Sequence, residues 1–155
     1  MDLDYQLRRM TRDDLEQVLA LEQRCHSQPW SRVTLERELV NEVARIDLLL
    51  IEEVVAGYLS SWQVAGELEI QNIVTAPEWR RRGLARVLLQ RLLSRAAAGQ
   101  VERVLLEVRA GNAAAIALYE RFGFRIDARR DNYYADGETA ILMSLDDLSG
   151  TDLPG

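Results

Sequence analysis

Glu67-Leu68-Glu69-Ile70-Gln71-Asn72-Ile73-Val74-Thr75-Ala76-Pro77, followed by Arg80-Arg81-Arg82-Gly83-Leu84-Ala85-Arg86, is the stretch on which the fold turns. Its first half reads as a strand, ended by Ala76-Pro77. Its second half is an arginine-rich turn around one glycine, after which the period changes. Leu84, Val87, Leu88, Leu92 and Leu93 recur at helical spacing to about Ala98, and Gly99 ends that helix. Gly83 lets the chain pass close to a ligand with no Cβ in the way. The helix start offers unpaired N–H groups and the positive end of its dipole, with arginines beside it. That suits a pyrophosphate. The stretch lacks both the Lys-Ser/Thr pair of a nucleoside-triphosphate loop and the three glycines of a dinucleotide fingerprint.

Working outward, Val101 to Arg109 reads as a strand, with Val104-Leu105-Leu106 apolar on both faces as in a sheet interior. Asn112 to Phe122 is an alanine-rich helix stopped at Gly123, and 124–126 with 139–145 form a closing antiparallel pair. Toward the N-terminus, strands are expected at about 46–52 and 54–64, with Gly66 in the turn before the strand at 67–75. Tyr5-Gln6-Leu7-Arg8 alternates as a short first strand. Thr11 caps a helix, with Asp14 three residues on, and Leu15, Val18, Leu19 and Glu22 give that helix its period. Pro29-Trp30 breaks it, and Ser31 caps a second helix carrying Leu35 and Leu39. The order β-α-α-β-β-β-α-β-α-β-β predicts an α/β (α+β) chain built as a mixed sheet with helices on both faces.

Bulk properties narrow the function. A chain of 155 residues, 48% hydrophobic and 28% charged, fits one soluble domain with a real core. We expect that domain over 1–148, and a mobile Gly/Asp/Pro tail over 149–155. One cysteine, Cys25, excludes an internal disulfide, and with a single histidine, His26, the expectation is no metal. The start Met1-Asp2-Leu3-Asp4 has no basic or apolar leader character and no apolar run is long enough to span a bilayer, so the expected location is cytoplasmic, without membrane contact. A formal net charge of −6 argues against a nucleic-acid partner and favours a basic one. The expected state is a monomer.

Two side chains carry candidate chemistry. Glu107 lies within Val104-Leu105-Leu106-Glu107-Val108-Arg109. A carboxylate among apolar neighbours loses hydration and becomes a better base near neutrality. A strand-end ion pair with an arginine is the plainer alternative. Tyr119 shares a helical face with Ala115, Ile116 and Phe122. It could simply pack, or donate its phenolic proton to a thiolate leaving group, since a phenol stays protonated with a reference pKa of about 10.

Taken together, Arg80 to Ala85 and the run Asn112-Ala113-Ala114-Ala115-Ile116-Ala117-Leu118-Tyr119-Glu120-Arg121-Phe122-Gly123-Phe124 resemble the GNAT superfamily of acetyltransferases, in order and spacing, over nearly the whole chain from Tyr5 to Leu145. His26-Ser27-Gln28-Pro29-Trp30-Ser31, Leu106 to Arg109 and Arg130-Asp131-Asn132-Tyr133-Tyr134 make the likeness closest to the bacterial branch that acetylates the N-terminal alanine of a ribosomal protein. The resemblance implies a mostly antiparallel central sheet of about seven strands. It implies acetyl-CoA as co-substrate, held by strand backbone at Ile73, Val74 and Thr75, by Arg81, Arg82, Gly83, Leu84, Ala85 and Arg86 around the pyrophosphate, and by Asn112. It further implies Glu107 as general base, Tyr119 as general acid and a protein N-terminus as acceptor, that of the eighteenth small-subunit ribosomal protein. Ala85 stands where a second glycine is commoner in that family, and Arg80 where glutamine is frequent.

The choice of amine has a physical side. An α-amino group titrates at about 8 and a lysine at about 10.4, so the former is neutral at pH 7 roughly several hundred times more often. A modest base suffices for an N-terminus. The Pro29-Trp30 loop and Tyr133-Tyr134 could line the peptide entrance or only pack there. Rival expectations are acetylation of a polyamine or antibiotic amine, a coenzyme A sensor without turnover and, for the arginines, a nucleic-acid patch.

Overall fold

The computed structural model describes residues 4–148, so the expected tail at 149–155 and the first three residues lie outside it. Along the described chain run β1 (Gln6–Arg9), α1 (Leu15–Cys25), α2 (Arg32–Val40), β2 (Ala44–Ile51), β3 (Val54–Val64), β4 (Glu67–Thr75), α3 (Leu84–Ala98), β5 (Arg103–Arg109), α4 (Ala113–Arg121), β6 (Arg125–Arg130) and β7 (Ala140–Leu145). Short 3-10 turns at Arg12–Asp14 and Pro77–Trp79 join them. The strands form a seven-stranded sheet in the order β1-β2-β3-β4-β5-β7-β6. Its neighbours are antiparallel except β4 and β5, which run parallel, as the α3 crossover between them requires. The expected mixed, mostly antiparallel sheet of seven strands is therefore present.

The apolar side chains of β2 alternate between two cores. Leu49 and Ile51 pack with Leu88, Leu89, Leu92 and Leu93 of α3, and with Tyr119 and Phe124 at α4. Leu48 and Leu50 pack with Leu15, Val18 and Leu21 of α1 and Leu35 of α2. A strand buried on both faces reads as a continuous apolar run, which is what Leu48-Leu49-Leu50-Ile51 is. Helices thus cover both faces, α1 and α2 on one and α3 and α4 on the other.

Local capping explains the starts. Ser31 caps α2, its hydroxyl accepting the Thr34 N–H at 3.2 Å. Asp14 accepts the Thr11 N–H at 2.8 Å and pairs with both terminal nitrogens of Arg8 at 2.7 Å, which holds its carboxyl below the usual range. The helix expected directly after Thr11 begins instead with one 3-10 turn, and α1 proper starts at Leu15. β5 starts at Arg103 rather than 101, because Glu102 N–H is tied to the Gly66 carbonyl at 2.7 Å. β6 is twice the expected length and every residue of it is exposed. Its alternation, Ile126 and Ala128 between charged residues, is short and stops at Arg129-Arg130, and an edge strand wet on both faces needs no more.

Candidate active site

The sheet opens where the parallel pair ends. β4 and β5 are in register only from Glu67 opposite Arg103 to Ile70 opposite Leu106. A bulge in the β3–β4 pairing follows: Ser61 lies opposite Ile70 and Ser60 opposite Asn72, which leaves Gln71 as the extra residue. Beyond it, β4 stays bonded to β3 through Thr75, and β5 stays bonded to β7 through Arg109. The two strands part, and the edge of β4 that faces β5 loses its ladder partner. Gly57 allows β3 to follow this bend, since a Cβ there would stand 2.7 Å from the Val74 carbonyl oxygen.

Between the parted strands lies a cleft of about 1050 Å³. Ile73, Val74 and Thr75 of β4 line one side. Glu107 of β5, with Asn112, Ala115 and Tyr119 at α4, lines the other. A smaller hollow of about 290 Å³ continues it past Arg81, Gly83, Leu84, Ala85 and Arg86 at the head of α3. Thr75, Arg80, Ala85 and Leu118 border both. The structure therefore brings all but one of the catalytic and cofactor-binding residues singled out from the sequence to one continuous groove. Arg82 is the exception: its guanidinium stacks 5.2 Å over the Trp79 ring and borders neither cavity. Of the possible entrance residues, Tyr134 lines the groove and Pro29, Trp30 and Tyr133 do not.

At the head of α3 the backbone is shaped for an anion. Gly83 takes the left-handed conformation (φ +81°), and Arg81 two residues earlier is held at φ +65°. Successive amides in such a turn form a concave set of donors, and strain at a non-glycine residue marks a site the surroundings hold in place. No side chain caps the helix, and its first turn carries no acid. A Cβ at position 83 would meet nothing within 4 Å. Glycine is thus required here by backbone angle, and the space beside it is open for a ligand. The first unpaired N–H groups of α3 face that space with the positive end of the dipole. These features fit a diphosphate.

The two candidate chemical groups differ sharply. Tyr119 is 7% exposed, its ring 5.7 Å from that of Phe124, and burial pushes its phenol up to about 12. Glu107 was expected to be desolvated by its apolar neighbours, and it is exposed. The reason is strand alternation: Val104, Leu106 and Val108 point into the α3/α4 core, whereas Glu107 and Arg109 point to the opposite face, where the α1/α2 layer has ended. The loop between β6 and β7 partly shields it. The Glu107 carboxylate, within hydrogen-bonding reach, holds the Tyr133 phenol above its ordinary value, while Tyr134 is raised first by burial and then by Glu107. Arg109 stacks 4.1 Å over the Tyr134 ring and binds Asp136 at 2.8 Å and Glu138 at 2.9 Å. Asn112 caps α4, its carbonyl accepting the Ala115 N–H at 3.2 Å.

Sequence reasoning gave no site role to several residues that the cleft uses: Cys25, His26, Gln28, Asn72 and Asp136 all line it, and Arg80, read only as part of the motif, borders both cavities. Cys25 and His26 end α1, and Asn72 follows the bulge. Their common cue, a break in regular structure, names no chemistry by itself. Among the described residues, no group of three or more His, Cys, Asp or Glu is placed to hold a metal, and no helix is long and apolar enough to cross a membrane.

Comparison with known proteins bears on the family and the fold. A sequence model of the Acetyltransferase (GNAT) family matches residues 15–124. The [ribosomal protein bS18]-alanine N-acetyltransferase of Salmonella typhimurium is 39% identical over 135 residues, covering 85% of this chain and 90% of that protein. Its Escherichia coli counterpart is 38% identical over the same shares. The crystal structure of the ribosomal-protein-S18-alanine N-acetyltransferase from Escherichia coli superimposes with a TM-score of 0.87 at 35% identity, covering 98% of this chain and all of that one. Matched by family, by sequence and by fold, this chain belongs to the GNAT family of acetyltransferases.

Proposed function

We propose that this protein transfers the acetyl group of acetyl-CoA to the N-terminal α-amine of a protein, the alanine that begins ribosomal protein bS18. The observation that carries the reading is one cleft that a solvated carboxylate, Glu107, and a buried phenol, Tyr119, both line where β4 has a free edge. The relatives of known substrate support that choice of acceptor, and a net charge of −6 suits a basic partner. The described residues act as one catalytic domain, at work where ribosomes are, in the cytoplasm.

Bound acetyl-CoA would supply an activated acyl carbonyl and a thiolate leaving group. The main chain of Ile73, Val74 and Thr75 would bond the pantetheine arm along the free edge of β4. The amides of Gly83, Leu84, Ala85 and Arg86, with the side chains of Arg81 and Arg86, would hold the diphosphate, and Asn112 would border the arm from α4; Arg82, stacked on Trp79, would add only its charge nearby. Glu107 accepts the proton that the attacking amine gives up as the new C–N bond forms. Its exposure lets the proton pass on to solvent. Tyr119 gives its proton to the sulfur as the C–S bond breaks. A phenol at about 12 stays protonated until that charge develops, whereas a thiol of reference pKa about 8.5 leaves as an anion unless protonated. Holding both reactants on one rigid sheet supplies the proximity part of the rate.

Turnover of a peptide with the bS18 N-terminus, measured beside a lysine peptide and spermidine, tests this. The α-amine should be preferred, and Glu107→Gln and Tyr119→Phe should each slow it. Wild-type rates in both variants would remove the assigned chemistry, and a preference for spermidine would remove the acceptor.

A further inference from the structure

Glu22 is a charged residue in the apolar stripe of α1, and its side chain is 1% exposed. The partners found for it are neutral or titratable, with no arginine among them. One oxygen accepts the Trp30 backbone N–H at 3.0 Å, and the other accepts from the Asn72 amide at 3.3 Å and lies 3.6 Å from His26 Nε2. The Asn72 amide nitrogen also lies 3.2 Å from His26 Nε2 and 3.2 Å from the Tyr58 hydroxyl. A buried carboxylate is costly unless its lone pairs are filled, so a group kept there has a task that an apolar side chain could not do.

The partners show what the task is. Asn72 and His26 line the cleft, on either side of the bulge at Gln71 and the end of α1, whereas Glu22 lies behind them. Trp30 closes the loop 26–31, whose His26, Ser27 and Gln28 form part of the cleft wall. Glu22 therefore ties three separate elements together: the end of α1, the loop after it and the bulged part of β4. The turn before α3 meets the end of α1 through other side chains, Cys25 at the Thr75 carbonyl (3.8 Å) and at Arg80 (4.0 Å) and Arg24 at Glu78, and not through Glu22, His26 or Asn72.

We propose that Glu22 is a positioning residue for the acceptor end of the cleft: it fixes Asn72, His26 and the 26–31 loop as the wall against which the incoming N-terminal residue is seated. This rests on the reading of the protein as a peptide acetyltransferase. Glu22 itself touches neither reactant. Its carboxylate needs donors, and the Asn72 amide and Trp30 N–H are oriented to supply them, so Glu22→Gln keeps the shape but turns an NH2 toward Asn72.

The test compares wild type, Glu22→Gln, Asn72→Asp and the double variant, with the bS18 N-terminal peptide and acetyl-CoA varied in turn. Glu22→Gln should raise KM for the peptide about tenfold, the scale of one unsatisfied buried polar group, with KM for acetyl-CoA unchanged. In the double variant the direction of the bond is reversed, an amide at position 22 donating to a carboxylate at position 72. It should recover at least half of that loss on a logarithmic scale, whereas Asn72→Asp alone should not improve on wild type. Hydrogen exchange of residues 26–31, measured without substrates, should quicken in Glu22→Gln and slow again in the double variant. That readout stands even if the wild type fails to acetylate the peptide, an outcome that would overturn the acceptor and not the wall. Unchanged exchange and unchanged peptide KM in a folded Glu22→Gln would overturn the proposal. So would equal losses in both KM values.

Discussion

The two ends of the groove are built by different means. The end proposed for the donor is one continuous stretch, from Thr75 through the turn to Arg86, and what it offers is backbone: a glycine at φ +81°, an arginine at φ +65° and the free amides of a helix start. The end proposed for the acceptor offers side chains. It draws His26 from the end of α1, Asn72 from a bulge, Glu107 from β5 and Tyr133 and Tyr134 from the β6–β7 loop. A main-chain site can be kept with few fixed side chains, because any residue supplies an N–H. A side-chain site depends on groups far apart in sequence being held by others behind them, such as Glu22.

This division of labour can be broken by substitutions that should disturb one end alone. Glu107→Gln should have the largest effect, lowering kcat roughly 10²–10⁴-fold, the usual worth of a general base, while calorimetric affinity for coenzyme A stays put. A parallel loss of affinity would mean that the two ends are not separable. Gly83→Asp should act in reverse. A strained φ and a carboxylate among the diphosphate donors should weaken coenzyme A binding roughly 10–100-fold, with peptide KM little changed.

Tyr119 gives a pH signature in addition to its effect on rate. Its folded pKa, about 12, lies above the ordinary value near 10, so the folded state holds this proton more tightly than the unfolded chain does. The resulting stability is whole below pH 10 and is lost as pH rises from about 10 to 12, at up to about 1.4 kcal/mol per pH unit. Urea unfolding at pH 9, 10 and 11 should show a steeper decline for the wild type than for Tyr119→Phe. Identical slopes would place the phenol in water. Arg109→Ala should have the smallest effect, roughly two- to threefold on peptide KM, because its ion pairs with Asp136 and Glu138 are exposed and only its stacking on Tyr134 is well placed. An unchanged peptide KM would leave the β6–β7 loop out of the acceptor wall.

The same contrast governs how much could be read from the sequence. The donor end was legible because its cause is local: strand, proline, arginines, glycine and helix follow one another in fixed order, and the structure keeps that order. So were the long strands 54–64 and 67–75 and the helix 84–98: β4 alternates exposed and buried from Glu67 to Gln71, β3 is buried without a break from Val55 to Ser61, and the leucines of α3 are buried at helical spacing. Tyr119 was found because its helix is continuous with the motif, and Glu107 because an acid interrupts an apolar strand. The surroundings of Glu107 were misjudged, since an apolar run in sequence does not say which face of a strand is covered. Asn72 and His26 were missed for a related reason. Their meeting depends on a bulge and on the packing of α1 over β4, and neither leaves a local mark. Glu22 was visible as one of the residues setting the period of α1, and only the structure gives it partners.

The central claim is that amides at the head of α3 seat the diphosphate so that the sulfur of the donor arrives between Glu107 and Tyr119. A crystal structure with coenzyme A bound tests it most directly. The account predicts phosphate oxygens within hydrogen-bonding distance of the Gly83–Arg86 amides, the pantetheine arm along Ile73–Thr75, and the sulfur within reach of the Tyr119 hydroxyl. A diphosphate seated elsewhere, or a sulfur directed away from Tyr119, would contradict it.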